Sequence, residues 1–259
     1  MTRTEFKQRV TNAGALDFGN ILNDSLALFK KSWLHGFLMQ LIIFVIVLPF
    51  MLLLYVPFIM MIISQGEAGE FNTNGMSDLF AGFSVLYIIF FGTGIMIIST
   101  VQASLYMSFL RMLKKLDEGR EVKTAELFYF IKGKYLGKIF LLMLITILIA
   151  IPAILFFYLP FIYLIIPISF FSVVFAFNPE WSVGEIISGG FELGNKKWFL
   201  SFGLLFCSYV LLLIAITLSC GLGSLFLTPF LYHPLYQIYK NTVGFDTQSE
   251  LDQIGQTDF

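Results

Sequence analysis

Residues 37–64, 79–110, 139–178 and 198–239 contain no Asp, Glu, Lys or Arg, and these four runs restrict the fold more than any other feature of the chain. A membrane-crossing helix needs ~20 predominantly apolar residues, and the runs are 28, 32, 40 and 42 residues long. A 40-residue helix would reach ~60 Å, twice the thickness of a hydrocarbon core. The third run is therefore expected to fold back near 156–161 around Pro160. The fourth divides at 219–224, where Gly221 and Gly223 allow a reversal. These lengths predict an all-α polytopic bundle with six spans at about 37–63, 80–109, 139–157, 161–177, 198–218 and 222–239. Pro49 and Pro57 predict a kink or tilt in the first. At 58% hydrophobic and 13% charged residues, with a mean hydropathy of +0.83, a water-soluble domain is excluded.

Threaded this way, all 16 Lys and Arg residues fall on one side. They are Arg3, Lys7, Arg9, Lys30, Lys31, the eight between Arg111 and Lys138, and Lys196, Lys197 and Lys240. The hydrophilic stretch 65–78 has none. Basic residues beside short spans are retained in the cytoplasm, so both termini are expected inside a bacterial cytoplasmic (inner) membrane. Of the 17 acidic residues, Glu67, Glu70 and Asp78 lie outside, which leaves 14 against the 16 basic ones. That near-balance makes neither a polybasic lipid trap nor a nucleic-acid surface. The expected partners are membrane lipids, together with a membrane-protein partner or a second copy of the chain. No short apolar segment precedes a small-residue cleavage site, so residues 1–16 read as mature protein. Cys207 and Cys220 lack metal-type spacing and are expected to be buried thiols.

The segment 17–37 aligns without gaps onto 182–202, with identities at Gly19/Gly184, Ile21/Ile186, Leu28/Leu193, Lys31/Lys196, Trp33/Trp198 and Phe37/Phe202. Asp17 and Ser182 are both N-cap residues, and Ser182 with Glu185 spells a capping box. Each is followed by an apolar stripe at helical spacing: Phe18, Ile21, Leu22, Leu26, Phe29 and Trp33 in one, Val183, Ile186, Ile187, Phe191 and Trp198 in the other. Lysine and tryptophan then close each segment, as expected of an amphipathic helix in the headgroup layer. A fainter copy at 125–140 has Leu127, Phe128 and Ile131 as its stripe, Lys132 and Lys134 as its charges, and Tyr135 in place of tryptophan. Trp33, Tyr135 and Trp198 are thus the expected interfacial anchors. The organisation predicted is one integral membrane domain over 1–259. It consists of three parallel units of an amphipathic helix plus a two-span hairpin, at about 17–110, 120–177 and 182–239, with tails 1–16 and 240–259.

The sequences Glu126-Leu-Phe-Tyr-Phe-Ile131, Phe175-Ala-Phe-Asn-Pro-Glu180, Asn195-Lys-Lys-Trp198 and Gly221-Leu-Gly223 through Pro229 to Tyr239 carry a resemblance. This part of the chain resembles the membrane domain associated with glycerophosphodiester phosphodiesterases and related uncharacterised bacterial integral membrane proteins. That family places its catalysis on a separate soluble barrel. The resemblance therefore implies a membrane module without catalytic groups of its own.

Direct reading of the residues agrees. No HExxH, Walker, GxSxG or paired Cys/His pattern occurs, and no catalytic, metal or cofactor residue is expected. His35 stands beside the Lys30–Trp33 cluster, while His233 is the single imidazole inside a predicted span. The other polar residues entering the spans are Gln40, Gln102 and Gln237, with Thr100, Ser104 and Ser108 at i, i+4, i+8. Two roles are open to Gln40, Gln102, Ser104, His233 and Gln237: lining a small polar cavity, or hydrogen-bonding between helices. Carboxylates and cations that ion-coupled carriers use are missing from the predicted spans. The expectation is a non-enzymatic membrane module that packs lipid or a partner, or an accessory subunit of a complex. The alternative is a facilitator for a neutral or apolar solute.

Overall fold

A computed structural model describes residues 1–68, 85–155 and 159–245. Most of the hydrophilic loop expected at 65–78, the turn at 156–158 and the tail from 246 onward lie outside the described residues. The described residues form no strand. Their helices are α1 (Arg3–Asn12), α2 (Phe18–Ala68), α3 (Val85–Asp117), α4 (Gly133–Leu155), α5 (Leu159–Phe177), α6 (Val183–Lys196), α7 (Trp198–Leu218), α8 (Gly223–Leu227) and α9 (Tyr232–Thr242). Short 3-10 helices occupy Thr124–Ile131 and Thr228–Leu231.

Five helices among the described residues are long and apolar enough to cross a membrane: parts of α2, α3 and α5, and all of α4 and α7. That fits a multi-pass membrane protein. The sixth expected span, 222–239, is not one helix. Pro229 and Pro234 lack the N–H that a continuing helix must donate, and the segment breaks into α8, a 3-10 turn and α9. Rather than facing outward, α9 buries His233, Leu235, Tyr236, Gln237, Ile238 and Tyr239.

The first unit also departs from expectation. The helix anticipated at 17–37 and the first span are one unbroken 51-residue helix, ~76 Å long at the usual rise. Asp17 caps it, its Oδ1 accepting from the Asn20 N–H at 2.8 Å. Nothing in 18–36 breaks the helix, and Gly36 is held against Pro229, where an added Cβ would lie 2.8 Å from the proline Cβ. The face of α2 turned to the bundle is Ile21, Ser25, Leu28, Ser32 and Met39, whereas Phe18, Leu26 and Trp33 are exposed. Half of the anticipated apolar stripe thus points outward. In the second unit a 3-10 helix stands where a full amphipathic helix was anticipated. Only the third keeps the expected form: α6, capped by the reciprocal Ser182–Glu185 box, breaks at Lys197 before α7 begins.

Helices α5 and α6 approach closely because α6 offers glycine toward its neighbour. A Cβ on Gly190 would meet the Phe171 ring at 2.3 Å, and one on Gly194 would meet the Pro167 Cα at 2.7 Å. Residues 1–16, expected as a tail, contain α1, which has its own Thr2–Glu5 capping box. Both cysteines are free and exposed, contrary to expectation. In a membrane protein apolar neighbours mark the outer surface as readily as the core, so they do not imply burial.

Candidate functional site

His233 is fully buried and both ring nitrogens have partners: Nε2 lies 2.7 Å from Ser32 Oγ, and Nδ1 lies 3.1 Å from the Pro229 carbonyl oxygen. A carbonyl can only accept, so Nδ1 carries the proton and Nε2 accepts from the serine hydroxyl. Phe29, Phe109 and Phe230 surround the imidazole at centroid distances of 5.5, 5.9 and 5.9 Å. The arrangement is a satisfied neutral histidine that ties α2 to the broken terminal segment. Ser32 itself is fully buried, so no substrate reaches it.

The serine ladder on α3 also serves packing. Thr100, Ser104 and Ser108 each donate to the carbonyl four residues earlier, at 2.7, 2.8 and 2.8 Å. Ser108 additionally accepts the Phe130 N–H at 3.2 Å, joining α3 to the 3-10 helix. Gln40 and Gln237 each hold a buried side-chain oxygen without a hydrogen-bond partner among the described residues.

Gln102 is different. It lies in the wall of a chamber of about 650 Å³ enclosed by α3, α4, α5, α7 and the start of α9. From α3 come Ser99, Gln102, Ala103 and Tyr106, one face at i, i+3, i+4, i+7 and distinct from the Thr100–Ser108 stripe. Helix α5 supplies Ile165, Ser169 and Ser172, α7 supplies Phe202, Phe206 and Tyr209, and α9 supplies Tyr232 and Leu235. No lining residue is charged. The Gln102 amide donates to the Tyr106 hydroxyl at 2.7 Å, and the Tyr106 and Tyr232 rings lie 4.6 Å apart. One wall thus carries a short polar strip in an otherwise apolar space. The chamber is not sealed, since Ile165, Phe206 and Tyr209 are exposed. Sequence reading found Gln102 alone of this set. The spacing 99–102–106 was available as a signal, but its partners on α5, α7 and α9 carry no local pattern.

One end of the bundle is tied by charges. Arg3 pairs with Glu192 at 2.7 Å, Lys115 with Glu126 at 2.7 Å and Lys134 with Glu180 at 3.1 Å. Asp117 accepts from both Tyr236 and Lys240, at 2.8 and 2.6 Å. Lys196 and Lys197 reach the carbonyls of Thr11 and Gly14, and Phe6 packs edge-on against Trp181 at 5.3 Å. Hydrogen bonds from Ser182 hold the Glu185 carboxyl below its ordinary range. At Glu126 burial acts to raise the pKa, but the Lys115 ammonium, the Lys123 N–H and Arg111 outweigh it, and the net shift is downward. Of the expected anchors, Trp33 is exposed and Trp198 half-buried, while Tyr135 is turned inward onto Phe130.

No protein-family profile, curated protein or solved structure matches the chain. The class that the fold and chamber define is an all-helical, multi-pass membrane protein with an uncharged chamber open on one side.

Proposed function

We propose that the chain is a non-enzymatic protein of the bacterial cytoplasmic membrane, both termini cytoplasmic, that packs a membrane lipid within its bundle. Whether it does so alone or as an accessory subunit, the uncharged chamber is the observation that carries the reading. Its volume falls within the ~300–1,000 Å³ usual for ligand sites. Around it the interior is solid: Leu105, Met107, Phe109, Leu110, Phe130, Phe170, Phe175 and Tyr236 are fully buried. Thr100, Ser104, Ser108 and His233 near that core bond within or between helices, as packing glue does.

The test is photo-crosslinking in the native membrane. A benzoylphenylalanine at Phe202, on the chamber wall, should capture lipid, and one at Phe199, on the exposed outer face, should capture it only in proportion to bulk composition. Equal lipid profiles at both positions would refute selective lipid packing. A facilitator for a neutral or apolar solute would have to work through the same chamber. Solute flux in proteoliposomes, abolished by Ser169→Phe, would favour that reading over the module.

A further inference from the structure

We propose that the chamber binds a single-chain, uncharged amphiphile drawn from the membrane leaflet on the basic side, with its one polar group held by Gln102 and Tyr106. This rests on the lipid-packing reading and names the ligand class that reading leaves open.

Depth is the first argument. Tyr106 lies five residues before Arg111 on α3, Ser172 lies six before Asn178 near the end of α5, and Phe202 lies five after Lys197 on α7. At the helical rise each stands ~7–9 Å from those ends. The chamber therefore begins near the charged end and, with Ser99, Ile165 and Tyr209 ~18–20 Å from it, reaches the middle of the bundle. A ligand entering through the exposed wall at Phe206, ~13–14 Å from the charged end along α7, comes from the leaflet on that side.

Charge is the second. The lining contains no Asp, Glu, Lys, Arg or His, so an ionised headgroup placed there would be stripped of water with no counter-ion, at a cost of several kcal/mol. Arg111, the nearest cation along α3, is occupied, its guanidinium 3.7 Å above the Tyr129 ring. The site selects against phosphate and carboxylate heads.

Size is the third. At the ~30 Å³ that a water-sized group occupies, the 650 Å³ chamber takes roughly twenty such groups. That is room enough for one long chain.

The polar strip is the fourth. The Gln102 amide is committed to Tyr106 through one N–H, which leaves its carbonyl as an acceptor, while the Tyr106 and Tyr232 hydroxyls bond each other and keep one proton between them to donate. A ligand hydroxyl can accept one and donate to the other. A ligand carbonyl can accept from the tyrosine. An alkane can do neither, and binding it leaves these groups without the bond they would otherwise make.

The experiment is equilibrium binding of radiolabelled hexadecanol, hexadecane and palmitate, at a pH where palmitate is ionised, to the purified chain in phosphatidylcholine nanodiscs. Empty nanodiscs correct for partitioning. Hexadecanol is expected to saturate at one per chain, with palmitate at least tenfold weaker. Each good hydrogen bond contributes ~1 kcal/mol, or about fivefold, so hexadecane should bind several-fold more weakly than the alcohol. Gln102→Leu and Tyr106→Phe should bring hexadecanol down to the hexadecane value without weakening hexadecane. Ser169→Phe, whose serine oxygen bonds only its own helix at Ile165, should block all three ligands in a folded protein, as judged by an unchanged melting profile. If none of the three binds the wild-type chain, lipid packing itself fails. If hexadecane equals hexadecanol, or palmitate binds most tightly, the chamber still holds a chain but the polar-strip assignment is overturned.

Discussion

A buried imidazole in a membrane protein invites a functional reading, and at His233 the geometry argues for a structural one. Both nitrogens are satisfied by groups with no route to solvent, and three phenylalanines enclose the ring. Substitution by Phe would keep the volume but take the imidazole N–H from the Pro229 carbonyl and leave the Ser32 hydroxyl only its longer bond to the Phe29 carbonyl at 3.4 Å, at about 1–3 kcal/mol. His233→Phe should therefore lower the thermal midpoint of the purified protein while ligand binding in the intact fraction is unchanged. Ser32→Ala should lower it less, since the Pro229 bond survives. A variant that melts normally but binds nothing would move His233 into the site. The capping pair Ser182–Glu185 was readable because its partners are three residues apart. Ser32 and His233 are 201 residues apart, and no local pattern joins them.

Among the elements, the α5–α6 contact depends on backbone proximity. With Pro167 Cα at 2.7 Å from the would-be Cβ, Gly194→Ala must push the helices apart, and overpacking of this kind costs ~1–3 kcal/mol. Lower yield and melting temperature are expected, whereas Gly184→Ala, with nothing within 4 Å, should be neutral or better. The α3–3-10 junction gives a pH prediction. Glu126 titrates below its reference value of 4.5, so the Lys115–Glu126 pair stabilises the fold above that pH and is lost as pH falls through the depressed value. Melting temperature should drop as pH falls from about 5 to about 3, and Glu126→Gln should shrink the drop. An identical drop in the variant would assign it to other carboxylates. Uncharged run lengths made four of the long helices and the hairpin legible. They could not show that 222–239 folds as short pieces, the last of them buried. Composition counts Tyr232, Tyr236 and Tyr239 as apolar, whereas in the structure their hydroxyl-bearing rings pack inside against α2, α3 and α5.

For the whole molecule, the central claim is a lipid-holding chamber between α3, α5 and α7. It arises from five helices meeting and was invisible to one-dimensional patterning, although the neutrality of every wall residue follows from the charge-free runs. The one-sided basic residues carry the orientation we propose. Cysteine labelling should find Gly119 and Gly189 together on the inner side and Ser77 on the other, and labelling of Gly119 and Gly189 from opposite sides would overturn that orientation. The most direct measurement is an experimental structure of the chain in nanodiscs formed from its native membrane lipids. The account predicts one elongated density running past Ala103 and Phe202, its polar end beside Gln102 and Tyr106. Helix α7 collapsed against α3, with no chamber and no density between them, would contradict it.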